Sequence, residues 1–112
     1  MKTTFSELPE FVREIKKFSK KYKSLPKDLE EFKRIVSVIP LGNSKHFNII
    51  TRNEKCIVIK ARLFCRYLKG KSLRIIYAYY AKEIKIDFIE IYFKGNKEVE
   101  NQKRINDYVA SL

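Results

Sequence analysis

The sequence predicts an α+β fold: an N-terminal helical hairpin packed on one face of a small antiparallel sheet, followed by a C-terminal helix. Three observations carry this. Apolar residues recur every three or four positions over residues 8–22 and 29–39. The period then changes to two in successive runs between Cys56 and Lys94. The links between those runs are short, which makes neighbouring strands antiparallel.

In chain order, Thr3–Phe5 suits a short first strand. Ser6-Glu7-Leu8-Pro9-Glu10 reads as a helix start. Ser6 is the expected cap, Pro9 suits the first turn, and Glu7 and Glu10 face the positive end of the helix dipole. Leu8, Phe11, Val12, Ile15, Phe18 and Tyr22 form the apolar stripe of helix one. Ser24-Leu25-Pro26-Lys27-Asp28 breaks it and starts helix two, whose buried face is Leu29, Phe32, Ile35, Val36 and Ile39 and whose end is Pro40. Residues 41–54 have weak patterning, with one short strand expected at His46–Thr51. Over Cys56–Cys65, Ile57, Ile59, Ala61, Leu63 and Cys65 point one way and Cys56, Val58, Lys60, Arg62 and Phe64 the other. Lys69-Gly70-Lys71-Ser72 is a turn. In Leu73–Tyr80, Arg74, Ile76, Ala78 and Tyr80 oppose Leu73, Ile75, Tyr77 and Tyr79. Simple alternation in Ile84–Lys94 sets Ile89, Ile91 and Phe93 against Ile84, Ile86, Phe88, Glu90, Tyr92 and Lys94. Glu98–Leu112 reads as the terminal helix, with Ile105, Tyr108, Val109 and Leu112 as its stripe.

The 112 residues fit a single domain, 1–112, and 45% apolar content supports one core. The formal net charge is +12. Residues 41–82 hold ten basic side chains and one acidic, which is +9 of that total, and from Lys55 to Lys82 no acid occurs. Self-repulsion of this size calls for a neutralising partner: nucleic acid first, an acidic protein second, an anionic membrane third. Cys56 and Cys65 lack CxxC spacing and read as reduced core thiols of a cytoplasmic protein. No apolar run reaches membrane-spanning length, and the N-terminus lacks a signal-peptide core. The acids are dispersed, so no metal site is expected, and three glycines leave no phosphate loop. His46, the one histidine, sits in the poorly patterned segment and reads as incidental rather than as a general base.

What remains is a cationic sheet. Lys60 and Arg62 share a strand face, Arg74 lies early on the next strand, and Lys94 ends the third. In a meander these four converge. Such a cluster holds phosphates by charge-assisted hydrogen bonds. It also supports metal-free phosphodiester cleavage, because cations stabilise a dianionic transition state and favour the neutral form of a neighbouring amine. Lys69, Lys71 and Lys82, at turns, read as generic phosphate contacts or solubilising charges. Among the interleaved aromatics, Tyr77 and Tyr79 belong to the core face, and Tyr67 and Tyr92 are the candidates for base contact.

The strand Gly70-Lys71-Ser72-Leu73-Arg74-Ile75-Ile76-Tyr77 resembles the Gly-x-Arg-φ-φ-Tyr strand (φ apolar) of the RelE/ParE superfamily of toxin–antitoxin toxins. Upstream, Lys60-Ala61-Arg62 is similar to that family's basic-x-basic strand. Downstream, Ile89–Glu98 is similar to its last strand and basic exit. Tyr22-Lys23-Ser24-Leu25-Pro26-Lys27-Asp28-Leu29 fits its helical hairpin, so the resemblance spans nearly the whole chain. It implies a ribosome-dependent mRNA endoribonuclease without cofactor, acting by attack of the ribose 2′-hydroxyl on the adjacent phosphate, and neutralised by a cognate antitoxin. It places Lys60, Arg62, Arg74 and Lys94 at the catalytic site. Arg66, Lys69, Lys71, Tyr92 and Lys97 are the RNA contacts expected around it. The chain departs from RelE at Gly95, where the family has arginine, and near Asn101, where it has a stacking tyrosine. A ParE-like gyrase poison and a catalytically inactive RNA-binding homologue are the alternative readings.

Overall fold

The computed structural model describes residues 2–43, 45–69 and 71–112. Five strands form one sheet: β1 (Thr4–Glu7), β2 (Phe47–Arg52), β3 (Ile57–Phe64), β4 (Ser72–Tyr80) and β5 (Lys85–Phe93), in the order β1-β5-β4-β3-β2. Helices α1 (Pro9–Lys21) and α2 (Leu25–Val38) follow β1, and α3 (Gln102–Ala110) closes the chain. The expected α+β architecture is present. The turn expected at Lys69–Ser72 includes Gly70, which lies outside the described residues.

β2, β3, β4 and β5 form the antiparallel meander, whereas β1 pairs in parallel with β5 over Thr4↔Lys85 to Glu7↔Phe88. Ser6 therefore belongs to β1 and does not cap α1. Its hydroxyl donates to Asp87 Oδ1 at 3.0 Å, and Leu8 takes the cap position. β1 covers only the first half of β5. Beyond it, Ile91 N–H donates to Glu14 Oε1 (3.2 Å) and Ile89 C=O accepts from Arg104 Nη1 (2.9 Å). Glu14 and Arg104 also pair bidentately at 2.9 Å, which ties α1 to α3 across this open edge.

The sheet buries both faces. Against α1 and α2 pack Ile59, Ala61, Leu63, Leu73, Ile75, Tyr77, Ile86, Phe88 and Ile91, with Phe11, Leu29, Phe32 and Val36 from the helices. Val12 (48% exposed), Ile35 (48%) and Ile39 (42%) stay outside this core, contrary to expectation. Each helix rests on the sheet along one narrow row, and the flanking apolar positions face water. The opposite face buries Cys56, Val58, Ile76, Ala78, Tyr80, Ile89 and Tyr92 beneath Ile105 and Tyr108 of α3.

Simple alternation fails in β5. The register passes from Ile76↔Glu90 to Tyr77↔Phe88, so Ile89 is an extra residue in a bulge. Ile86 and Phe88 therefore face the helical hairpin with Ile91, while Ile89 and Tyr92 face α3. The bulge also places Glu90 on the α3 side, fully buried, where it binds Lys97 Nζ and accepts from Asn101 N–H at 2.8 Å. Asn101 in turn caps α3 by accepting from Arg104 N–H (3.0 Å), so the helix starts at Gln102 and not at Glu98. Leu112, assigned to the α3 stripe, is exposed. Because α3 is short, it covers one half of its face. The other half, carrying Lys60, Arg62, Phe64 and Arg74, lies outside the α3 cluster.

Candidate functional site

Register builds the site on that uncovered half. Arg62 on β3 lies directly opposite Arg74 on β4, and Arg74 lies opposite Tyr92 on β5. Like charges facing each other across two strands destabilise a sheet, so this arrangement gains from an anion between them. Lys60, Arg62, Arg74 and Lys94 line one cleft of about 150 Å³ together with Lys45, His46 and Asn48. An adjoining depression adds Lys71, Ser72 and Glu98 beside Arg62, Arg74 and Lys94. Arg74 Nη1 donates to Ser72 Oγ at 2.7 Å, which fixes its direction. Partial burial, and then the charge of Arg62, push the Arg74 guanidinium below its ordinary range, and Tyr92 opposes this.

The sequence is free of acids from Lys55 to Lys82, but the folded cluster is not. Glu100, 40 residues downstream of Lys60, accepts from Lys60 Nζ at 2.9 Å. Burial pushes the Glu100 carboxyl up, but the Lys60 hydrogen bond, backbone bonding and the charges of Lys60 and Lys97 outweigh it and hold the group below its ordinary 4.5. A depressed carboxylate stabilises the fold fully above its unfolded pKa and loses that contribution as pH falls through its folded value. Acidification below about 4.5 therefore begins to release Lys60. We expect Glu100→Gln to strengthen polyanion binding severalfold at neutral pH and to steepen its salt dependence, because one more cation then reaches phosphate. A salt titration of oligonucleotide binding reads both effects.

The expected RNA contacts divide. Lys71 stays at the site. Arg66 does not: its backbone N–H (3.1 Å) and Nη1 (2.8 Å) donate to the buried Asp28, and Nη2 donates to Glu31. The guanidinium thus fastens the 3₁₀ turn at Arg66–Leu68 to α2. Arg66→Ala is expected to leave polyanion affinity within twofold while lowering the melting temperature. Lys69 is exposed beyond that turn in a left-handed conformation (φ 45°) and lines neither depression. Tyr92 is only 4% exposed, and its phenol is pushed up to about 12, chiefly by burial, so it offers no free ring to a base. Lys97 lies over the Tyr92 ring and binds Glu90, which makes it a support of the α3 approach. Tyr67 is exposed but leans on Tyr22, on the side of the helical hairpin.

His46, read as incidental, lines the cleft. Its C=O accepts from Arg62 N–H (3.0 Å), and its ring meets Phe64 edge-on at 5.2 Å. Its Nδ1 is buried and has no hydrogen-bond partner among the described residues. The one sequence signal was the short strand expected at 46–51, whose pairing with β3 brings the residue there. At Gly95 a Cβ would come within 2.5 Å of the Phe93 ring, so the arginine found there in RelE has no room while Phe93 keeps its place. Among the described residues, no group of three or more His, Cys, Asp or Glu side chains is placed to hold a metal. Among the described residues, no helix is long and apolar enough to cross a membrane.

The site and its scaffold define an α+β domain with a cationic cleft on a half-covered sheet. The fold is RelE-like. The chain is similar to one in the crystal structure of the archaeal RelE–RelB complex from Pyrococcus horikoshii OT3, with a TM-score of 0.63 and 19% identity over 85% of this chain and 98% of that one. At this identity the likeness is one of fold. No protein-family model matches the chain. No curated protein matches it either.

Proposed function

We propose that this chain is a RelE-type toxin that cuts mRNA on the ribosome. The observation that carries the reading is the Arg62–Arg74 pair facing across two strands in a cleft shared with Lys60 and Lys94, on a RelE-like fold. Arg62 and Arg74 hold the scissile phosphate and stabilise the negative charge that develops as the ribose 2′-oxygen attacks. Lys60, released from Glu100 and acting as the free amine, takes the 2′-hydroxyl proton. Lys94 contacts the strand leaving the cleft. As the bond from the 2′-oxygen to phosphorus forms, the bond to the 5′-oxygen breaks; the departing oxygen takes a proton from water and leaves as a 5′-hydroxyl, and a 2′,3′-cyclic phosphate remains. This chemistry needs no metal or cofactor.

An acidic antitoxin is the expected regulatory partner. The similar structure is of a RelE–RelB complex, and a chain of net charge +12 with Lys45, Lys60, Arg62, Arg74 and Lys94 lining one cleft suits an anionic protein that covers it. Expression of the chain followed by sequencing of mRNA 5′ ends tests the reading: new cuts in codon register support it. Growth arrest without such cuts favours a gyrase poison instead.

A further inference from the structure

We propose that Phe64 and His46 form a nucleobase subsite beside the phosphate cleft, the occupant being one unpaired base of the single strand whose phosphates lie on Arg62 and Arg74. This rests on the polyanion reading of the cleft and extends it. Lys60, Arg62 and Phe64 alternate along β3, so their side chains leave the same face roughly 6.5–7 Å apart. A ribose spans a similar distance between a phosphate and its base. The order along the strand is thus cation, cation, aromatic.

Phe64 is 58% exposed, an unusual position for a large ring on a cationic face. The His46 ring stands edge-on to it at 5.2 Å, which fixes the ring plane and leaves a face open for stacking. Behind the pair runs a mainly apolar groove of about 230 Å³, lined by Phe32, Ile35, Ile39 and Phe47, with Asp28 and Glu31 at its wall engaged by Arg66. His46 and Arg62 line both this groove and the cationic cleft, so the two are continuous. That continuity identifies the occupant. A ligand entering from the cleft carries its anion to the arginines and presents a flat apolar group to Phe64.

The test uses the full chain. It contains no tryptophan, so Phe64→Trp places a single reporter at the subsite. A single-stranded oligoribonucleotide should quench that fluorescence, whereas an abasic oligodeoxynucleotide of equal length should bind without quenching. Phe64→Ala should weaken the base-bearing strand about tenfold and leave the abasic strand unchanged. Equal affinity of the wild-type chain for both strands, with no loss in Phe64→Ala, overturns the subsite and points to a protein partner for Phe64. Failure of the wild-type chain to bind either strand at low salt overturns the polyanion reading, and the subsite with it.

Discussion

Arg74→Ala is expected to abolish growth arrest and to lower mRNA cleavage by about 10²–10³-fold, the loss typical of removing one preorganised donor to a developing oxyanion. The fold should survive. Arg74 is only partly buried, and its guanidinium binds Ser72 of its own strand. Removing it also relieves the repulsion with Arg62 directly opposite. Arg74→Lys keeps the charge but loses the fork that grips two phosphate oxygens, so it should fall between wild type and alanine. Cleavage assays beside thermal melts separate the two effects. Full toxicity in a folded Arg74→Ala protein would exclude this site.

Phe88→Ala should be the most damaging single core truncation, costing about 3–5 kcal/mol. The bulge at Ile89 turns Phe88 toward the helical hairpin, where it stacks on Phe5 (5.9 Å) and Phe11 (5.1 Å) and meets Phe32 and Tyr77. One side chain thus joins β1, α1, α2 and the sheet. Total stability of a small domain is only about 5–15 kcal/mol, so the variant should unfold early in urea, with a lower midpoint and an unchanged slope. A cost below about 1 kcal/mol would place Phe88 outside the central core and contradict the bulged register.

Elements with local signals were legible in the sequence. The two-residue period of Cys56–Cys65 and Leu73–Tyr80 sorted side chains onto the faces they occupy, and it put Arg62 and Arg74 on one of them. What the sequence hid depends on contacts far along the chain. β1 pairs in parallel with β5 across some eighty residues, so Ser6 became a partner of Asp87 rather than a helix cap. The bulge at Ile89 leaves no mark on the pattern, because both faces of β5 are apolar and either register looks acceptable. Charge pairing is hidden in the sequence for the same reason. Lys60 meets Glu100 and Arg66 meets Asp28, each pair brought together by topology rather than spacing. Tyr92 looked available because its strand is rich in aromatics, but the lid that buries it, α3, begins beyond Asn101. His46 reached the cleft through a segment without periodicity, so only the fold revealed it.

The most direct measurement programs purified ribosomes with a defined mRNA, adds the purified chain, and maps the ends produced. Cleavage within the decoding-site codon, leaving a 2′,3′-cyclic phosphate and a 5′-hydroxyl, and absent with Arg74→Ala, is the predicted result. An mRNA left intact by the wild-type chain, or cut equally by the Arg74→Ala variant, would contradict it.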